Sequence, residues 1–136
     1  RQMCIRDRLQ GVDVDMNAIS DTVPTLAVVA LFANGPTNIR NVEHVRHKET
    51  DRITDLAREL RKLGAKVDER QDGLTITPRV LCGASVDTYN DHRIAMSFAV
   101  AGLMIKDVSI NDPMCCEKTY PNFFTDLEKL ISDGDG

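Results

Sequence analysis

The stretch SDTVPTLAVVALFANG, residues 20–35, decides the fold. Asn17 to Asp21 forms a polar turn able to cap a helix, Pro24 falls in a first turn that tolerates proline, and Asn34-Gly35 stops it. Between them, Leu26 to Ala33 is apolar all round. A helix without a polar face cannot lie in water, so this one is expected inside a domain. NDHRIAMSFAVAG, residues 90–102, repeats the theme: Asn90-Asp91 caps a second, nearly all-apolar helix running from Ile94 to Ile105.

Strands flank both helices. GVDVDM, residues 11–16, alternates apolar and acidic positions, and Thr37 to Val42 is the next strand. Residues 49–63 predict an amphipathic helix, with Ile53, Leu56, Ala57, Leu60 and Leu63 recurring at three and four and Gly64 behind them as a C′ glycine. Lys66 to Glu69 and Leu74 to Thr77 flank a QDG turn and read as a hairpin. Residues 11–78 therefore read β-α-β-α-β-β.

The order then restarts. Ala84 to Tyr89 reads as a strand, the second apolar helix follows, and Val108 to Asn111 is a strand. Pro121 opens a helix with Phe123, Phe124, Leu127, Leu130 and Ile131 on its apolar stripe. At an offset of 70 residues Asp21 meets Asp91, Asn41 meets Asn111 and Lys48 meets Lys118. Element order, more than these few identities, supports an internal repeat. The expected organisation is an incomplete α/β domain over 9–131, with one unit at 11–79 and a second, unfinished unit at 82–131. Residues 1–8 (RQMCIRDR) read as a non-native or disordered leader, and 132–136 (SDGDG) as a fraying tail. The second unit has no closing hairpin, which leaves open edges and apolar surface, as in part of something larger.

Composition narrows the function classes. Of 136 residues, 42% are apolar and 28% charged, which argues for a packed core and against disorder. The net charge of −4 makes bulk nucleic-acid affinity improbable. No run approaches the roughly 20 apolar residues of a membrane span. Cys4, Cys82, Cys115 and Cys116 do not have metal-ligand spacing, and they read as reduced thiols in a cytoplasmic protein.

Charged residues gather at element ends. Asp21 opens the first buried helix, as a cap or as a carboxylate that orients or deprotonates a substrate hydroxyl. RHKETDR, residues 46–52, begins the amphipathic helix, as a solvated salt-bridged start or as an anion site with a carboxyl group, Glu49, placed for proton transfer. YNDHR, residues 89–93, opens the second buried helix; capping explains Asp91 but not His92 and Arg93 beside a buried helix. Lys118, in CCEKTYP (115–121), is either a surface cation or a phosphate ligand in the turn that Lys48 occupies in the first half. Four helix starts bearing such groups predict one anionic-ligand cleft if their positive ends converge. There is no P-loop, GxGxxG or metal-ligand spacing, so the expected catalysis is electrostatic plus acid-base.

GVDVDMN, SDTVPTLAVVALFANGPTNIRNV, RHKETDR, LRKLGA, YNDHRIAMSFAVAG and KTYPNFF together resemble the C-terminal part of the 5-enolpyruvylshikimate-3-phosphate (EPSP) synthase family, over about residues 9–131. The resemblance implies an inside-out α/β barrel of βαβαββ units with buried central helices, here incomplete. It also implies transfer of the enolpyruvyl group of phosphoenolpyruvate to the 5-hydroxyl of shikimate 3-phosphate with release of phosphate, in aromatic amino-acid biosynthesis. Asp21 then resembles the carboxylate at the shikimate hydroxyl, Lys48 the cation beside the same substrate and the proton transfers, and Glu49 the proton donor and acceptor at the methylene carbon. Arg52, Arg93 and Lys118 resemble ligands of the phosphoenolpyruvate carboxylate and phosphate, and His92 a neighbouring active-site histidine.

With no P-loop, GxGxxG or metal-ligand spacing in the sequence, no cofactor or built-in metal is expected. His44 stands where the family often has Asn on the shikimate phosphate, and His47 replaces a usually apolar residue. The partner implied is the family's N-terminal domain, whose motifs are absent from these residues, so the chain alone is expected to be inactive. The alternatives are the related transferase acting on UDP-N-acetylglucosamine and a non-catalytic phosphate-ligand-binding module.

Overall fold

In a computed structural model, residues 9–116, 122, 125–126 and 129 are described. Alternating side chains set the first unit. β1 (Asp13–Asp15) runs parallel to β2 (Thr37–Arg40), with Val14 opposite Ile39. β2 pairs antiparallel with β4 (Gly73–Thr77), and β4 pairs with β3 (Lys66–Arg70) across the two-residue turn Gln71-Asp72, giving the order β1-β2-β4-β3. Ile39, Val67, Leu74 and Ile76 are buried from one face of this sheet, and α2 (Arg52–Lys62) lends the core Ile53, Leu56, Ala57 and Leu60. The expected β-α-β-α-β-β order is present.

The second unit copies the first crossover. β5 (Ser85–Val86) lies parallel to β6 (Ser109–Ile110), and α3 (His92–Met104) joins them as α1 (Val23–Val29) joins β1 to β2. Two glycines carry the same signature. A Cβ on Gly11 would meet Pro36 O at 2.1 Å, and one on Gly83 would meet Lys106 O at 2.4 Å, each just before the second strand of its unit. Only a residue without a side chain lets the backbone pass that closely.

α1 and α3 pack against each other, with Thr25 Oγ1 and Ser97 Oγ 3.5 Å apart. Val23, Ala27 and Val28 of α1 and Ile94, Phe98 and Ala101 of α3 are buried. Neither helix is covered on every side, which corrects the expectation of full burial. Val29 on α1 and Val100, Leu103 and Met104 on α3 are exposed, together with Val12 and Ile19 beside them in the first unit. The described elements are too few to surround both helices. Boundaries shift as well. The first apolar helix ends as a 3-10 turn, Ala30–Phe32. α2 starts at Arg52 rather than 49, because Lys48 is extended and Asp51 takes the N-cap, accepting from Thr54 N at 3.1 Å. The expected helix from Pro121 and the residues 1–8 and 132–136 lie outside the described residues.

Candidate active site

Asp21 comes from the 3-10 turn Asn17–Thr22 that leads into α1. It does not cap that helix, since Thr22 holds the N-cap position and makes no side-chain cap bond. Lys48 and Glu49 lie in the bend between the 3-10 turn Glu43–His47 and α2, and Arg52 is the first residue of α2. His92 and Arg93 begin α3. These six side chains line one cavity of about 170 Å³. Three of the four expected element starts therefore converge. Lys118 lies outside the described residues.

Arg52 organises the cavity floor. Its guanidinium is 2% exposed, and three carboxylates surround it. Nε donates to Asp91 Oδ2 at 2.7 Å, while Nη2 donates to Glu49 Oε2 at 2.8 Å and Asp91 Oδ1 at 3.2 Å. Asp21 Oδ1 stands 3.6 Å from Nη1 and 3.9 Å from Lys48 Nζ. Glu49 shares Oε2 with His92 Nδ1 at 3.4 Å, which couples a half-exposed carboxylate to an imidazole at the mouth. Glu49 precedes α2 instead of lying on its face, but its contact with Arg52 forms across the helix start all the same.

Asp91 is wholly buried and has two tasks. Its Oδ1 accepts from Arg93 N at 2.9 Å and Ile94 N at 3.4 Å, capping α3, and its carboxylate also pairs with Arg52 of α2. The cap is legible in the sequence. The ion pair spans 39 residues and has no periodicity to signal it. Tyr89 and Asn90, just before it, adopt left-handed backbone conformations (φ 54° and 56°). That turn is held because Tyr89 OH donates to the buried Glu59, whose Oε1 also accepts from Asp87 N at 2.9 Å. Glu59 and Lys62 on α2 thus grip the loop ahead of α3, with Lys62 Nζ 2.8 Å from Glu59 Oε1 and 3.2 Å from Asp87 Oδ2. The amphipathic pattern of residues 49–63 carries no signal for these contacts.

Other members of RHKETDR have different tasks. Arg46 is clamped by Asp51, Glu69 and the carbonyls of Arg70 and Gln71, so it fastens α2 to the hairpin. His44 and His47 are exposed on the preceding turn, and neither lines the cavity. Donor atoms of Glu49, Asp91 and His92 fall within 4.8 Å of one another, a spacing that could hold a cation. Arg52 already fills that place, pairing with both carboxylates.

Among the described residues charge is balanced here: Asp21, Glu49 and the buried Asp91 behind Arg52 oppose Lys48, Arg52 and Arg93. Among the described residues Arg93 makes no side-chain ion pair, which leaves its guanidinium available at the rim.

Known proteins share this sequence and this fold. The sequence profile of EPSP synthase (3-phosphoshikimate 1-carboxyvinyltransferase) matches residues 2–127. The 3-phosphoshikimate 1-carboxyvinyltransferase of Trichormus variabilis is 52% identical over 125 residues, covering 92% of this chain and 29% of that protein. That of Aeromonas salmonicida is 55% identical over 123 residues, covering 90% and 29%. The chain thus spans under a third of the length of these relatives. The EPSP synthase structure of Acinetobacter baumannii superposes with a TM-score of 0.79 at 28% identity, covering 85% of this chain and 28% of that one. The enolpyruvyl transferase NikO of Streptomyces tendae, at 23% identity and a TM-score of 0.69, shares the fold over 89% of this chain and 28% of its own. A partial α/β domain of the inside-out-barrel type, with its charged element starts gathered at one cavity, belongs to the EPSP synthase family.

Proposed function

We propose that these residues supply part of the active site of an enzyme that moves the enolpyruvyl group of phosphoenolpyruvate onto the 5-hydroxyl of shikimate 3-phosphate, releasing phosphate. The reading rests on one observation: Asp21, Lys48, Glu49, Arg52, His92 and Arg93 line a single cavity. The chemistry adds the hydroxyl to C2 of phosphoenolpyruvate while C3 is protonated, then eliminates phosphate as C3 loses a proton. Asp21, half-exposed at the mouth, orients the attacking hydroxyl and receives its proton. Lys48, close to Asp21, stabilises the negative charge that develops on the attacking oxygen, and the proton taken by Asp21 leaves with the phosphate. Glu49 gives a proton to the methylene carbon and later takes one back; its contacts with Arg52 and His92 fix its position for both transfers. Arg52, through its remaining donor Nη1, and Arg93, whose guanidinium can meet a carboxylate or phosphate in bidentate fashion, hold the anionic groups of phosphoenolpyruvate.

Further cations must reach the cleft, because the described groups are charge-balanced. Lys118 and a second, N-terminal domain are the proposed sources, so these 136 residues alone have negligible turnover. We place the enzyme in the cytoplasm; among the described residues no helix is long and apolar enough to cross a membrane. Phosphate release by the intact polypeptide, with phosphoenolpyruvate and either shikimate 3-phosphate or UDP-N-acetylglucosamine, tests the reading. Turnover with the first acceptor only is expected. Turnover with the UDP-sugar, or binding without turnover, would replace it.

A further inference from the structure

Among the described residues, the buried side-chain nitrogen or oxygen that lacks a hydrogen-bond partner is Arg52 Nη1. The other edge of the same guanidinium is fully engaged: Asp91 takes Nε, and Asp91 with Glu49 takes Nη2. Asp21 Oδ1, at 3.6 Å, is too far from Nη1 for a hydrogen bond. A guanidinium is rigid and planar, so fixing one edge fixes where the other points. Arg52 lines the cavity, and Nη1 is its remaining donor.

Capping alone does not account for Asp91. Asn caps a helix about as well as Asp, and it brings no charge into a dry site. Asp91 has no exposed surface, and burying a carboxylate is costly unless a cation meets it with good geometry. The geometry supplies that cation from another element. Asp91 Oδ1 takes the two α3 amides, and Oδ2 is left for Arg52 Nε. One side chain thereby sets both the start of α3, which carries His92 and Arg93, and the orientation of Arg52.

We propose that Asp91 is a positioning residue: by holding one edge of Arg52 it aims Nη1 at the acceptor oxygen of an anionic ligand, the carboxylate or phosphate of phosphoenolpyruvate in the reading above. The inference rests on that reading for the ligand's name, and on the orphaned donor for the ligand's charge. Asp91 touches no reacting atom. Its effect falls on the anion bound by Arg52, not on the acceptor alcohol.

Asp91→Asn keeps the cap and removes the charge, which makes it the variant of choice. In the intact polypeptide the KM for phosphoenolpyruvate should rise roughly 10- to 100-fold, the effect expected when a charge-assisted hydrogen bond loses its alignment. The dissociation constant for shikimate 3-phosphate should stay within about twofold and the melting temperature within a few degrees. In an Arg52→Lys background, which has no fork to align, Asp91→Asn should add less than about twofold, a strongly non-additive cycle. An unchanged KM, equal weakening of both ligands with a large fall in melting temperature, or full additivity with Arg52→Lys would overturn the proposal. Calorimetric binding of phosphoenolpyruvate separates it from the functional reading. A wild-type protein that binds phosphoenolpyruvate without turnover, with binding weakened by Asp91→Asn, would end that reading and leave the positioning role standing. Turnover in the wild type with phosphoenolpyruvate binding indifferent to Asp91→Asn would do the reverse.

Discussion

Glu49 shows how one carboxylate can be both held and usable. Arg52 and His92 fix Oε2 from one side while the residue remains half-exposed to the cavity. If it carries the proton at the methylene carbon, Glu49→Gln in the intact polypeptide lowers kcat by about 10²- to 10⁴-fold, the usual worth of a positioned acid-base group. Substrate affinities should change only a few-fold, and steady-state kinetics with both substrates varied reads the split. Asp51 gives a stability counterpart. Burial pushes its carboxyl up, but the amide of Thr54 and the guanidinium of Arg46 outweigh this, and its pKa lies below the usual carboxylate value. A depressed folded-state pKa stabilises the fold above the unfolded value and loses that contribution as pH falls through the folded one. The stability gap between wild type and Asp51→Asn should therefore be constant near neutrality and shrink as pH drops below about 4. Denaturant titrations at several pH values measure it.

At the scale of elements, α2 is the beam on which the site hangs. Its N-terminal end carries Arg52 to Asp91, its middle carries Glu59 to Tyr89, and Arg46 ties its start to the hairpin. The far end closes in a Schellman arrangement: Gly64 N donates to Arg61 O at 3.1 Å and Ala65 N to Leu60 O at 3.3 Å. Gly64 has φ +106°, and a Cβ there would meet Val80 O at 2.4 Å. Gly64→Ala should destabilise by at least ~1 kcal/mol, from the left-handed backbone alone, with the contact adding to it. Thermal unfolding reads the loss. A loss near ~1 kcal/mol would mean that residues 78–84 move aside freely, and a shift within error would refute the backbone cost as well.

For the whole molecule, the open flank of the α1–α3 pair is the main consequence of the architecture. Val29 sits where two grooves meet, one running onto α3 past Met96 and Val100, the other, of about 310 Å³, past Val12, Val14 and Ile19. Contiguous apolar surface of this kind binds other apolar surface. The isolated chain should bind a hydrophobic dye and associate as its concentration rises. Val29→Lys should reduce both while barely moving the melting temperature, because this side chain already meets water. Dye fluorescence and sedimentation check the pair of effects.

Much of this fold was legible along the chain. Hydrophobic spacing predicts α2, alternation predicts β1, the QDG turn predicts the hairpin of β3 and β4, and two greasy runs predict helices inside the domain, because these signals are local. Turn chemistry at Gly64 and the cap at Asp91 are local for the same reason. The charged residues at element starts also name most of the cavity lining in advance. Tertiary structure decided how they are wired. It paired Asp91 with an arginine on another helix, made Arg46 a brace between α2 and the hairpin, and left His44 and His47 outside the cavity. It also buried Glu59 against Tyr89. Each of these depends on which elements become neighbours, and a charge carries no periodic mark of its partner; only packing selects the carboxylate that a buried guanidinium will meet.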